Sequence, residues 1–230
     1  GTGKSTLLEK LMTDDLKKGF GFALLDPHGD LVKKIKSQIP WSRRDDLIDF
    51  DAADSSQPYG FNPLANVSMD KRPLACSGLI QVFKHLWQDS WGPRLEHILR
   101  NCLLSLLDYP KSNLADILRL LSDKKFRDEV VPYIKNEQVK GFWIKEYNKY
   151  PERLKAEAIS PIQNKVGAFL SHPLLQKILT KPEKPLSLRK VMDEGKILLV
   201  NLAKGSIGED ISNLLGSLLI VSLAACGEPE

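Results

Sequence analysis

The sequence GTGKSTLLEKLMTDDLKKGFGFALLDPHGD, residues 1–30, decides the fold class of this chain. Leucines and a methionine recur at helical spacing over residues 4–18, and Gly19 follows as a helix stop. A short apolar run over 20–25 then predicts a strand buried on both faces, which ends at Asp26. A loop, a helix and a buried strand in succession are typical of an α/β fold.

The first six residues match the second half of the P-loop pattern G-x-x-x-x-G-K-S/T: Gly1, Thr2, Gly3, Lys4, Ser5 and Thr6. Glycines let successive backbone N–H groups point at phosphate oxygens, and the helix N-terminus adds partial positive charge. All six are therefore expected to bind ATP, with Lys4 also catalytic at the β and γ phosphates and the Ser5 hydroxyl ligating Mg²⁺. The alternative is a solvated turn.

Two predicted strand ends carry further candidate residues. Asp26 and Asp30 lie at the carboxyl end of the first strand, where open α/β sheets place ligands, and we expect them to orient a water or support Mg²⁺. Asp30 could equally cap a helix over 31–38. His28 is expected to bind phosphate, or else to be satisfied by the backbone. Asn201 ends a second apolar run and is expected to sense the γ-phosphate, or else to mark a plain strand end.

The rest of the chain predicts a sheet interrupted by helices. Residues 47–50 form a weaker strand, and the pattern is helical from about 69 to 193, with breaks expected at Pro110, Pro132, Pro151, Pro161, Pro182 and Pro185. A strand over 197–202 and an apolar helix over 209–225 follow. We therefore expect an NTPase core at 1–67, an all-helical inserted subdomain at 68–193 and the core continued at 194–230.

Composition excludes several classes of protein. The 230 residues are 42% hydrophobic and 27% charged, which rules out a disordered tail, a collagen-like fibre and a coiled-coil rod. Three cysteines without CxxC spacing argue against a disulfide framework or a zinc ribbon and fit a reducing cytoplasm. The longest apolar stretch, 214–225, is shorter than the about 20 residues that a bilayer requires, so no transmembrane segment is expected.

The charge is unevenly distributed along the chain. The net charge is +4, yet residues 140–190 carry eleven Lys and Arg against four Glu, a local balance of +7. Such a basic block can hold phosphate backbones of nucleic acid, or it can be a solvated helical surface.

The motifs distinguish between kinds of P-loop protein. Asp26 to Gly29 fits the D-x-x-G of a GTPase, but Asn164-Lys165-Val166-Gly167 lacks the aspartate of N-K-x-D that would read guanine. A Walker B strand should end in two acids after four apolar residues, and neither 47–51 nor 197–201 does so. Hydrolysis by this chain alone is therefore not expected, and we interpret the sequence as an internal piece of a longer protein.

The P-loop half and six further segments together resemble the HerA/FtsK superfamily of P-loop motors, nearest to type IV secretion coupling proteins (TraD/TraG-like) and their HerA-like relatives. The further segments are LLDPHGD at 24–30, FNPL at 61–64, GPRLEHILR at 92–100, PIQNKVG at 161–167, GKILLVNL at 195–202 and GED at 208–210. The resemblance implies a RecA-like P-loop NTPase core sheet with a large all-helical insertion, assembled as a homo-hexamer that binds ATP and Mg²⁺ between subunits. DNA would pass through the central channel.

The resemblance also implies a function and a place in the cell. We expect ATP hydrolysis coupled to DNA translocation or loading, in the cytoplasm or at the inner face of the membrane beside a secretion apparatus. The alternative is a nucleotide-binding module of a secretion or phage assembly apparatus that handles protein. Arg94 and Lys165 lie in family-like segments and could act across a subunit boundary or form surface salt bridges. Trp87, Trp91 and Trp143 fit core positions better than base stacking.

Overall fold

Five strands and a larger set of helices make up the chain, which is described over residues 3–226 in a computed structural model. The strands are β1 Phe22–Asp26, β2 Leu47–Asp51, β3 Tyr59–Gly60, β4 Lys184–Pro185 and β5 Ile197–Asn201. β1, β5 and β2 form a parallel sheet in that order, and β3 pairs with β4 in a separate parallel pair. The fold is therefore mixed α/β, as the sequence predicts.

Helices precede, interrupt and follow the sheet. They are α1 Gly3–Lys18, α2 Asp30–Gln38, α3 Arg72–Leu86, α4 Pro93–Asp108, α5 Asp116–Ser122, α6 Lys124–Val130, α7 Glu137–Gly141, α8 Glu152–Leu170, α9 Pro173–Thr180, α10 Leu188–Asp193, α11 Lys204–Ile207 and α12 Glu209–Cys226. Short 3-10 and π turns connect several of them. The order α1-β1-α2-β2, a helical stretch, then β5 and α12 agrees with the sequence pattern.

β5 is the middle strand and separates two hydrophobic clusters. Its residues Ile197 to Val200 are fully buried, as expected of a strand covered on both faces. Because side chains alternate along a strand, Leu198 and Val200 face a large cluster that includes α3, α4 and α12. Ile197 and Leu199 face a small cluster with α1 and α2. The helical stretch thus shares its core with one face of the sheet.

α1 contacts the small cluster only through its second half. Met12 and Leu16 are buried there, whereas Leu7, Leu8 and Leu11 are 58%, 46% and 52% exposed. The apolar spacing of the sequence predicts the helix correctly. The described residues cover only part of its apolar face.

α12 is the most apolar of the long helices. It is the one helix within residues 3–226 whose length and composition would allow it to cross a membrane, with mean hydropathy 1.4 and 44% of its residues buried. Leu214, Leu215, Leu218 and Leu219 of this helix are buried in the large cluster, where α12 packs against α3. These four leucines therefore belong to the core of this fold, whereas Ile220 of the same helix is 60% exposed.

Two local predictions within the helical stretch are wrong. Pro161 lies inside α8 and does not end it. A proline deprives the carbonyl four residues earlier of its donor, and here that residue, Glu157, is exposed so that water can replace the bond. Residues 184–185 pair with β3 as a short strand, so helix is not continuous from 69 to 193. The division of the chain at 68 and 193 stays a prediction.

Candidate functional site

Three polar side chains end the three strands of the sheet at one level. The register pairs Asp26 of β1 with Asn201 of β5, and Asn201 with Asp51 of β2. Parallel strands bring their carboxyl ends to the same edge, where α/β proteins bind ligands. The sequence identifies Asp26 and Asn201 as candidates but misses Asp51, whose position at the end of a short apolar run was the available signal.

Asp26 caps the helix that follows it. Its Oδ1 accepts a hydrogen bond from the backbone N–H of His28 at 3.0 Å, and its Oδ2 accepts from Leu31 and Val32 at 2.8 and 3.2 Å. The carboxylate is 8% exposed. Both oxygens are thus occupied by donors at the start of α2, and the charge complements the positive end of that helix.

Asp30 does not cap α2, contrary to one of the two roles predicted for it. The helix begins at Asp30, and the residue before it, Gly29, has a left-handed φ of 82° with no side chain to donate or accept. The turn from 26 to 29 places the Asp26 carboxylate within hydrogen-bond distance of the backbone N–H groups of Leu31 and Val32. The side chain of Asp30 is exposed to solvent. His28 is exposed as well.

Asn201 is held from two sides. Its Nδ2 donates to Asp51 Oδ2 at 3.1 Å, and its Oδ1 accepts from the backbone N–H of Ala203 at 2.9 Å. Ala203 is buried and has a φ of 45°, a conformation that non-glycine residues rarely adopt. A strained residue beside a fixed amide is a feature that often accompanies functional sites.

Backbone hydrogen bonds tie the two strand ends together. The N–H of Leu202 donates to the carbonyl of Asp26 at 2.9 Å, and the N–H of Lys204 donates to the carbonyl of Pro27 at 2.8 Å. The turn after β1 and the turn after β5 therefore form one continuous edge.

The P-loop residues lie at the beginning of α1. Gly1 and Thr2 fall outside the described residues, and Gly3, Lys4, Ser5 and Thr6 form the first turn, with their side chains exposed. Within residues 3–226, no hydrogen bond or ion pair joins Lys4 or Ser5 to another side chain, and none links them to Asp26, Asp30, His28 or Asn201.

Side-chain contacts between α1 and α2 nevertheless fix the position of the first turn of α1 relative to the start of α2. Lys34 Nζ lies 2.7 Å from Glu9 Oε2, and Thr13 Oγ1 donates to Gln38 Oε1 at 2.7 Å. The Lys34 ammonium holds the pKa of Glu9 below its usual range through this hydrogen bond. The second contact lies four residues further along both helices than the first, so the two helices run in the same direction. One turn earlier, Ser5 is level with Asp30 at the start of α2.

A metal ion would have few protein ligands here. Among the described residues, no group of three or more His, Cys, Asp and Glu is arranged to hold one. Mg²⁺ in nucleotide sites is commonly bound by one or two side chains, several waters and the phosphates themselves. The Ser5 hydroxyl, exposed at a helix N-terminus, fits that mode of binding.

The basic stretch 140–190 is partly neutralised. Six of its cations form ion pairs with acids within or just outside the stretch: Lys140 with Glu137, Arg153 with Glu157, Lys155 with Glu152, Lys177 with Glu183, Arg189 with Asp193 and Lys190 with Glu194. The lysines outside these pairs are Lys145, Lys149, Lys165, Lys181 and Lys184. The local excess of +7 therefore overstates the charge available to a polyanion.

The remaining candidates divide into surface and core. Arg94 is exposed at the start of α4, and Lys165 is half-buried on α8 beside a cavity. Trp87 and Trp143 are buried, which agrees with the core positions expected for them. Trp91 is half-buried, and its Nε1 donates to Glu96 at 2.8 Å. In the described part of the chain, no hydrogen bond or ion pair connects these residues with Asp26, Asp51 or Asn201.

None of the family models, curated proteins and solved structures compared with this chain matches it. The resemblance to P-loop motors therefore stays a prediction from the motifs quoted above.

Proposed function

We propose that this chain is the ATP-binding part of a P-loop motor of the HerA/FtsK type, which couples ATP hydrolysis to DNA translocation or loading. In this proposal the three parallel strands belong to a RecA-like core, and the subunits assemble as a homo-hexamer. Lys4 and Ser5 bind the phosphates and Mg²⁺, while His28, Asp30 and Asn201 lie at the edge that faces the γ-phosphate.

One observation carries the proposal. The first turn of α1, where Lys4 and Ser5 are exposed and have no side-chain partner within residues 3–226, is level with the start of α2 and therefore with the strand ends at Asp26 and Asn201. A cationic helix N-terminus beside the carboxyl edge of a parallel sheet is the arrangement that binds nucleotide phosphates. Asp26 contributes by holding the N-terminus of α2, because its two oxygens are occupied by backbone donors.

The test is ATP hydrolysis by the protein at its full natural length, with and without DNA, in the wild type and two lysine variants. Lys4→Ala should lower the rate by about 100-fold or more, because a preorganised cation at the transferring phosphate is lost. Lys10→Ala is the matched control, since Lys10 is exposed on the same helix two turns from the loop. Its rate should equal that of the wild type, and DNA should stimulate both.

Hydrolysis that survives Lys4→Ala would contradict the ATP site. Hydrolysis that depends on Lys4 but does not respond to DNA would contradict the translocase and favour the second candidate, a nucleotide-binding module that handles protein. The ion pairs that neutralise six cations of the basic stretch are the observation in favour of that candidate.

A further inference from the structure

A cavity of about 580 Å³ is lined by residues of α3, α8, α9 and α12 and of the turns beside them. Volumes of this order accept a small organic ligand such as a nucleotide. The walls are of mixed chemistry, with aromatic rings, one lysine, one aspartate, two asparagines and two histidines. None of the residues that line it belongs to the proposed ATP site.

A cluster of three aromatic rings forms one wall. The ring centroid of Phe83 lies 4.7 Å from that of Trp87 and 5.9 Å from that of Phe169, and Trp87 and Phe169 are 6.4 Å apart, with all three planes within 21° of one another. Phe83 and Trp87 are buried, whereas Phe169 is half-buried and lines the cavity together with Trp87. A flat ring that enters the cavity can therefore pack against the partly exposed ring of Phe169, as nucleobases do on aromatic side chains.

Charged and amide groups surround this wall on other helices. Lys165 of α8 and Asp210 of α12 both line the cavity, and neither forms an ion pair within the described chain. Asn164 and Asn213 line it as well. A free ammonium suits a phosphate, and amides and a carboxylate suit the polar edge of a base.

One buried polar atom at the cavity has no partner. His172, which precedes α9, lines the cavity, and its Nδ1 makes no hydrogen bond to any described residue. Leaving such an atom unsatisfied destabilises the free protein.

We propose that this cavity binds a nucleoside phosphate, with the base stacked against Phe169 and the phosphate held by Lys165. The ligand could be a free nucleotide or one nucleotide of a single strand, since both present the same base and phosphate. This site is separate from the proposed ATP site and does not depend on it.

The test is calorimetric titration of the whole chain carrying Lys4→Ala, so that phosphate binding at α1 does not contribute. The probes are thymidine 5′-monophosphate, a twelve-nucleotide oligo(dT), thymidine and inorganic phosphate. We expect saturable binding of the first two and much weaker binding of the last two, because each of these lacks one of the two recognised parts. Equal affinity for monophosphate and oligonucleotide identifies a free nucleotide as the ligand, and a clear preference for the oligonucleotide identifies a strand.

Two variants assign the binding to the cavity. Lys165→Gln should weaken binding about tenfold through loss of a charged hydrogen bond, and Phe169→Leu should weaken it about tenfold through loss of stacking. Lys149→Gln is the matched control, because Lys149 is an exposed, unpaired lysine of the same basic stretch outside the cavity. Asn213→Ala, an exposed change, tests the cavity again if Phe169→Leu does not fold.

The proposal is overturned if neither the monophosphate nor the oligonucleotide binds saturably, or if Lys165→Gln binds like Lys149→Gln. A failure of ATP hydrolysis in the earlier experiment leaves this result unaffected, because Lys4 is already replaced.

Discussion

Gly29 lies directly against the side chain of Asn201. A Cβ atom at position 29 would stand 2.6 Å from Asn201 Oδ1, closer than such atoms approach in real structures, and Gly29 has a left-handed φ of 82°. The amide that would sense the γ-phosphate in the proposed function is thus fitted to a position where glycine alone is unstrained.

Gly29→Ala should destabilise the protein by about 2–4 kcal/mol, since it adds both backbone strain and a collision with a fixed amide. Urea unfolding followed by circular dichroism measures this. Gly205→Ala serves as the control, because position 205 lies in α11 with open space around it, and it should leave the stability unchanged or slightly raised. Equal stability of Gly29→Ala and Gly205→Ala would contradict the close packing of Gly29 against Asn201.

Asp26→Ala should cost about 1–2 kcal/mol, because it removes the acceptor for three backbone N–H groups. Asp30→Ala should change the free energy of unfolding by less than about 0.5 kcal/mol, because its side chain is exposed. Thermal melts of both variants decide between the two carboxylates. A larger loss of stability from Asp30→Ala than from Asp26→Ala would contradict this assignment and support Asp30 as the helix cap.

Ser105→Ala should cost about 1–3 kcal/mol. The hydroxyl is fully buried and accepts the indole N–H of Trp143 at 2.7 Å, so its removal leaves a buried donor without a partner. Ser122→Ala is the matched control, because the hydroxyls of Ser105 and Ser122 both donate to the carbonyl four residues earlier, at 2.7 Å, but Ser122 is exposed. Chemical denaturation should show little change for Ser122→Ala, and comparable losses would argue against the buried hydrogen bond.

Asp46→Asn should lower stability at pH 7, and this loss should shrink as the pH falls below 3.8. Hydrogen bonds from Arg43 and Lys196, at 2.7 and 3.1 Å, hold the pKa of Asp46 below its ordinary value of 3.8. A lowered pKa in the folded state contributes stability that is present above pH 3.8 and is lost as the pH falls through the folded value. Because the side chains are partly exposed, the difference at pH 7 should not exceed about 1 kcal/mol.

Melting temperatures of wild type and Asp46→Asn, taken from pH 7 to pH 3, should therefore differ most at pH 7 and less at the acidic end. Asp45→Asn provides the comparison, since Asp45 is exposed and forms no ion pair in the described chain. A gap between wild type and Asp46→Asn that stays constant with pH would show that charge is not its cause.

Patterns with strong local causes were predictable from the sequence. The continuous apolar run before Asn201 predicts a strand, and Ile197 to Val200 are fully buried. The run over 20–25 predicts a strand buried on both faces, but Phe20 is 58% exposed and Ala23 is exposed, so this prediction is wrong for β1. Asp123 is recognisable as a cap because it directly precedes α6, where it accepts from Lys125 and Phe126. Such features depend on neighbours within a few residues.

Features that depend on distant contacts were not predictable. That β5 lies between β1 and β2, and so brings Asp51 to Asn201, depends on residues 150 positions apart. The choice of Asp26 over Asp30 as the cap depends on the path of a glycine turn, and ion pairing across turns of helix reduces the charge of the basic stretch. A count of charges or a capping pattern does not contain this information.

The middle strand of the sheet has a mechanical consequence. Alternate side chains of β5 are locked into separate close-packed clusters, so the strand cannot slide toward its own end without repacking both. Asn201 stands at the tip of that strand. A displacement of the Asn201 side chain along the strand would therefore be transmitted to α2 through the small cluster and to α12 through the large cluster.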